Sequence, residues 1–424
     1  MIKISKKNVM KIVTKFYLES NDFNGISILI LLENFNEDRT KLKAILKELV
    51  EEELVGVIDE DTDINPHVNR RGFEQKEKQL PKLDKDLSYH ICIYPTPKYL
   101  KAVVNPRDYE SQPYKLCLAF GEPQLSYRSF DLSVLEFYRN DPRYRYENDD
   151  MQGHIYYNSE EMTESDKVLL QTFGFSYDND FNRAVAVFLR YLVDLTLEHQ
   201  QIWKAKELQG DYKLHPDYYR TTIIGDWPER EPICTAFVEE IYIINQMVAS
   251  MGRPPLFRDD FGEYGKNRPK HFGFLIRPTL KEFNDFMLLL DKMLSDNINK
   301  KFFQNEVPYE NETKRKDGKI KVTQKGTLQI LDDWIRKFFR TNDWKPWEET
   351  ITTLRKIRKM RQKPAHSVNE DVFDQKYFKE QREIIKSAYS AVRTLRLMFA
   401  NHPKVRDAAI EIPDWLKNGK IWTI

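Results

Sequence analysis

Cysteine is scarce in this chain: Cys92, Cys117 and Cys234 are the three among 424 residues, and no two stand in a Cys-x-x-Cys pair. That argues against a disulfide scaffold and a cysteine-built zinc site, and points to a reducing compartment. Glycine (15) and proline (20) are too few for a collagen-like or low-complexity chain. The longest apolar run, around Ile26 to Leu32, falls far short of the roughly 20 residues that span a bilayer, and no charged-then-apolar leader opens the chain. The expectation is a cytoplasmic protein without a membrane partner. An excess of one charge is lacking as well. Lys+Arg number 67 against 66 Asp+Glu, a formal charge of +1, so any basic surface must be local.

Catalytic signatures are also missing. There is no GxxxxGK[ST], and Phe173-Gly174-Phe175 and Phe272-Gly273-Phe274 each offer one glycine where a phosphate cradle wants several. GxSxG is absent, which removes the direct route to an α/β-hydrolase. His199, His215 and His271 lie 16 and 56 residues apart, without HxxxH or HExxH spacing, so neither a metal nor a cofactor is expected. What is present is apolar surface, 41% hydrophobic and 13% aromatic, over a length that predicts two to four domains at roughly 100 to 200 residues each.

Residues 1–80 read as three helices and a strand. Val9, Ile12, Val13 and Phe16 share a helical face, and a short helix follows at 26–33. Leu42, Ile45, Leu46 and Leu49 form a stripe across 38–52, and 54–59 is a β-branched strand. This resembles a winged helix-turn-helix. The resemblance implies that the 38–52 helix occupies the recognition position, where Lys41, Lys43 and Lys47 would meet DNA phosphates. Glu48, Glu51, Glu52 and Glu53 give it a mixed field, and such modules also dock regulatory proteins. Residues 60–86 read as an exposed, charged connector.

Residues 87–278 read as a central α+β domain of unknown role, with short strands at 89–94 and 115–120 and helices over 181–208 and 231–251. Asn140-Asp141-Pro142-Arg143-Tyr144-Arg145-Tyr146 sets Arg beside Tyr in a turn-prone segment, suited to stacking a nucleotide or to ordinary surface packing. His199, His215 and Asp141 have no evident role.

Residues 279–424 read as a helical bundle with a hairpin insertion near 305–325 and a C-terminal tail. Phe283, Phe286, Met287, Leu290, Met293, Leu294 and Ile298 mark one helix over 278–303, and further stripes run over 327–339, 347–360 and 373–399. From 327 to 424 there are 20 Lys+Arg and 13 Asp+Glu, a local +7. Six of the ten residues 354–363 are basic: Arg355, Lys356, Arg358, Lys359, Arg361 and Lys363. Pro364-Ala365-His366 follows.

Arg361-Gln362-Lys363-Pro364-Ala365-His366, inside a helical segment, resembles the Arg-x4-His motif of the HEPN superfamily, with Gln362 in a slot where Asn, Asp or His is more usual. The resemblance covers about residues 279–400. It implies a metal-independent endoribonuclease of a bacterial toxin or anti-phage defence type, paired as a homodimer with RNA in the cleft. Arg361 and His366 would be catalytic, with Arg355, Lys356, Arg358, Lys359, Gln362 and Lys363 along the RNA. The chemistry suits the pair, because His titrates near neutral pH and Arg keeps its charge against phosphate. On an unbroken helix residues five apart point about 140° apart, but Pro364 biases Lys363 out of the helix and lets the two converge. The fold expected is therefore multidomain, mainly α with an α+β middle. The alternative function is a noncatalytic DNA-binding regulator or adaptor that uses the bundle to dimerise.

Overall fold

The apolar spacing of the first residues forms α1 (Lys6–Glu19), begun by Ser5, whose hydroxyl accepts from the Asn8 N–H. In chain order follow β1 (Ile26–Ser27), α2 (Ile28–Glu33), α3 (Arg39–Glu51), β2 (Val55–Asp59), α4 (Lys76–Gln79) and β3 (Ile91–Pro95). The strands form an antiparallel sheet in the order β1-β3-β2. Val9, Val13, Leu42, Leu46 and Leu49 are fully buried against it. The computed structural model describes the whole chain except residues 1–2, 21, 36–37, 64, 66–67, 69–72, 86–87, 228, 315–319, 363–369 and 424.

Residues 60–86 depart from the exposed connector expected of them. Gln79, Lys82 and Leu83 are buried. Lys82 is held by Asp63 and by Glu74 at 2.8 Å, and Gln79 Oε1 accepts the Val57 N–H at 2.8 Å. A polar segment packs when each buried charge and amide has a partner, and charge density alone does not reveal that pairing.

The rest of this part of the chain comprises α5 (Pro97–Val103), α6 (Pro113–Ala119), β4 (Tyr127–Phe130), α7 (Glu136–Arg139), β5 (Tyr144–Asn148), β6 (Gln152–Tyr157), β7 (Leu169–Tyr177), β8 (Arg183–Phe188), α8 (Leu189–Leu192), α9 (Leu197–Lys204) and β9 (Lys213–Leu214). A six-stranded sheet runs β4-β8-β7-β6-β5, with β9 on β7. Two expectations fail here. The 115–120 strand is helix α6, started by Pro113, which suits a first turn because its missing N–H is not needed there. The 181–208 helix is instead strand β8 followed by two short helices. Ala184 to Phe188 are all fully buried between β4 and β7, and an apolar run without a polar side carries no period to separate strand from helix.

The described residues form two compact units, 1–146 with 152–215, and 147–151 with 216–424. The second contains α10 (Pro216–Tyr219), β10 (Glu231–Pro232), α11 (Ile233–Ser250), α12 (Leu280–Met293), β11 (Glu310–Lys314), β12 (Ile320–Gln324), α13 (Thr327–Phe338), α14 (Lys345–Gln362), α15 (Lys376–Ala400), α16 (Pro403–Asp407), α17 (Asp414–Lys417) and β13 (Ile421–Trp422). β10 pairs in parallel with β13, and β11 with β12 as a hairpin. One core joins α11 to α15, with Phe237, Met287, Leu290, Ile335, Ile357 and Phe399 fully buried in it. The division thus falls at 215/216 rather than at 278, because α11 shares its apolar face with the C-terminal helices. The protein is multidomain and mixed α/β, about 48% helix and 16% strand, with several small sheets. No helix among the described residues is long and apolar enough to cross a membrane.

Candidate functional site

The basic end of α14 divides into three stripes. Ile351, Leu354 and Ile357 are buried in the core, Arg355, Arg358 and Arg361 border them, and Lys356, Lys359 and Gln362 are exposed. Each stripe repeats every three residues, the spacing that keeps side chains on one helical flank. Every arginine of the border stripe meets a carboxylate. Arg355 Nη2 donates to Asp332 Oδ2 at 3.0 Å, and Asp332 also accepts from Trp347 Nε1 and Arg336 Nε. Arg358 Nη2 stands 4.0 Å from Asp296 Oδ1.

Arg361 Nη1 donates to Asp291 Oδ2 at 2.8 Å and to Asp296 Oδ2 at 2.6 Å. Asp291 has no exposed surface, and its other oxygen accepts from the Ser295 hydroxyl. Asp296 is 38% exposed and Arg361 32%. These carboxylates, Asp291 first, raise the Arg361 guanidinium above its ordinary range and keep it charged. Its Nε and Nη2 have no partner among the described residues. Two arginines, Arg358 and Arg361, face two aspartates, whereas Lys356 and Lys359 make no ion pair among the described residues. A phosphate arriving here would compete with the exposed Asp296 for Arg361. His366 and Lys363 lie outside the described residues.

Asp291 and Asp296 were missed from the sequence. The signal for Asp291 was its place four residues after Met287 on the apolar stripe of α12, where an unpaired acid would be costly and a partner must exist.

The lysines of α3 are spread over different surroundings. Lys41 is exposed, but Lys43 Nζ donates to the Lys85 carbonyl at 3.2 Å and Lys47 Nζ to Asp84 Oδ1 at 2.5 Å. Two of the three are thus engaged by Asp84 and Lys85, at the end of the turn Leu80–Asp84.

In the central region Arg143 pairs with Asp141 at 2.8 Å and with Asp166 at 3.2 Å, and covers the Tyr144 ring. Tyr144 packs edge-on to Tyr138 and His199. Trp203 Nε1 donates to Tyr138 Oη at 3.0 Å, leaving the phenolic proton for His199 Nδ1 at 2.8 Å. The remaining His199 proton is then on Nε2, 3.3 Å from the Asp166 carbonyl. Burial pulls His199 below its ordinary range, which matches this neutral form. The histidine is a satisfied core group rather than a ligand. No group of three His, Cys, Asp or Glu that could hold a metal occurs among the described residues.

No family model, no curated protein and no solved structure matches this chain.

Proposed function

We propose that the chain is a metal-independent endoribonuclease of a HEPN-like type, with Arg361 and His366 as its catalytic pair. The observation that carries this reading is the setting of Arg361. It closes the last turn of α14, tethered through Nη1, with a third of its surface open and no partner for its Nε–Nη2 edge among the described residues, immediately before the segment that contains His366. In this reading the open edge binds the scissile phosphate while His366 removes the ribose 2′-OH proton. Lys356 and Lys359, exposed on the same end of the helix, add to the attraction for RNA, and Arg355 and Arg358 shape that surface through their aspartates. The active species is a homodimer in the cytoplasm, acting in toxin or anti-phage defence.

The test is cleavage of labelled cellular RNA in EDTA by the wild type, Arg361→Ala and His366→Ala, each checked for folding. Cutting by the wild type alone is the expected result. Equal cutting by His366→Ala would refute the assignment.

A second reading has its own support. All three border arginines are occupied by carboxylates, and the order α1-β1-α2-α3-β2-α4-β3 with sheet order β1-β3-β2 resembles a winged helix apart from α4 between β2 and β3. A noncatalytic regulator or adaptor would use that module on a partner and the C-terminal bundle only for assembly. With Lys43 and Lys47 engaged, a protein partner suits this module better than DNA. The His366→Ala chain would then retain full function, and duplex binding by Lys41 would be weak and steeply salt-dependent.

A further inference from the structure

β11 and β12 form a two-stranded ribbon that no third strand joins among the described residues. All of its residues except Asn311 are exposed. A lone two-stranded hairpin is marginal in water, and further strands are what stabilise one. The Lys325 N–H donates to the Tyr309 carbonyl at 2.8 Å, and from that pair the register alternates. Thr323 and Lys321 turn their amides to β11, while Gln324, Val322 and Ile320 turn theirs outward. The three outward amides have no partner among the described residues.

The side chains of this open edge suit a copy of itself. Ile320 and Val322 share one face with Lys314 and Glu312, the residues opposite them on β11. Asn311 lies on the other face and is tied to Gln329 of α13 at 3.2 Å, so it is that face which turns to the helix. On the free face Ile320 is 62% and Val322 51% exposed. The two strands carry Glu310 and Glu312 against Lys314 and Lys321, so their charges balance and do not oppose an identical ribbon.

We propose that β12 pairs antiparallel with the β12 of a second copy, giving a four-stranded sheet β11-β12-β12-β11 about a twofold axis. With Val322 opposite the partner's Val322, outward amides meet outward amides and both copies present the same surface, as a twofold requires. Ile320 then faces the partner's Gln324, and Lys321 the partner's Thr323. The neighbouring register, centred on Lys321, would set two lysines directly opposite, a destabilising contact. This pairing stands whether or not the chain cuts RNA.

The test is made on the full chain. In this register the two copies of residue 322 have Cα atoms about 5.5 Å apart, within disulfide reach, whereas those of residue 321 are roughly 8 Å apart and beyond it. Val322→Cys oxidised with diamide should therefore cross-link at least about tenfold faster than Lys321→Cys, with the wild type as the background of the native cysteines. In sedimentation velocity the wild type should dimerise, and Val322→Pro, which removes an outward amide without touching the β11 ladder, should weaken the dimer about tenfold or more. A wild type that stays monomeric at about 100 µM would overturn the proposal. So would cross-linking equal at the two positions, or a dimer unchanged by Val322→Pro, which would move the contact to the helical bundle and leave the homodimer itself intact.

Discussion

Arg361 of α14 donates to Asp291 of α12 at 2.8 Å, joining the ends of two core helices through a carboxylate that has no contact with solvent. A charge so placed is tolerated because it is paired, and deleting one partner leaves the other stranded. Arg361→Ala should therefore cost about 2 kcal/mol, the usual penalty for a broken buried pair reduced because Arg361 is partly open and Asp296 remains exposed nearby. Adding Asp291→Asn to Arg361→Ala should restore part of that loss. Urea denaturation of the two variants checks this. It also shows whether lost RNA cleavage in Arg361→Ala reflects chemistry or unfolding.

Glu240 on α11 and Arg396 on α15 form a second pair, with neither residue more than a few per cent exposed. Burial raises the Glu240 carboxyl above its ordinary range, against the pull of Arg396. Arg396→Ala should cost about 4 kcal/mol, while Glu240→Leu with Arg396→Met should be neutral or stabilising, since apolar side chains of similar volume avoid the desolvation of two ions. A thermal melt in which the double variant falls as far as the single one would show that the pair is worth more than its packing.

The elements with one polar flank were legible in the sequence. Leu42, Leu46 and Leu49 named α3, and Phe283, Met287 and Leu290 named α12, because burial on one side imprints a 3.6-residue period. β8 was not legible, since Ala184 to Phe188 are buried on both faces and carry no period. Of the candidate site, the basic end of α14 could be read, but not how its charges divide. The alternation of Arg355, Arg358 and Arg361 with Lys356 and Lys359 gains meaning only once Asp291, Asp296 and Asp332, 23 to 70 residues away in sequence, are brought beside the arginines. The burial of Lys82 was not legible either. Its partners Asp63 and Glu74 are close in sequence, but nothing in their spacing distinguishes a buried network from a solvated charge run.

Tyr138 holds a polar cluster in the core of the first unit, accepting from Trp203 and donating to His199 while fully buried itself. Tyr138→Phe removes one oxygen and orphans both neighbours, which should cost about 2 to 3 kcal/mol. His199→Phe with Tyr138→Phe should cost less than the sum of the two single changes, because the first loss already breaks the shared bond. Additive losses in urea melts would sink this account.

Glu231 in β10 sets a pH dependence of its own. Burial, helped by Asp149, pushes its carboxyl from the ordinary range near 4.5 up to about 7. In the unfolded chain the group ionises near its ordinary value, so between roughly pH 4.5 and 7 the folded state binds more protons than the unfolded one, and stability falls as pH rises. His199 acts oppositely. Its lowered value means the unfolded chain takes the extra proton, and its contribution is lost as pH falls below about 6.5. Glu231→Gln should therefore stabilise the second unit at pH 8 by about 2 kcal/mol, allowing for partial exposure, and leave it nearly unchanged at pH 4. Urea melts at the two pH values measure the difference. An equal gain at both would mean that Glu231→Gln acts through packing and not through the proton.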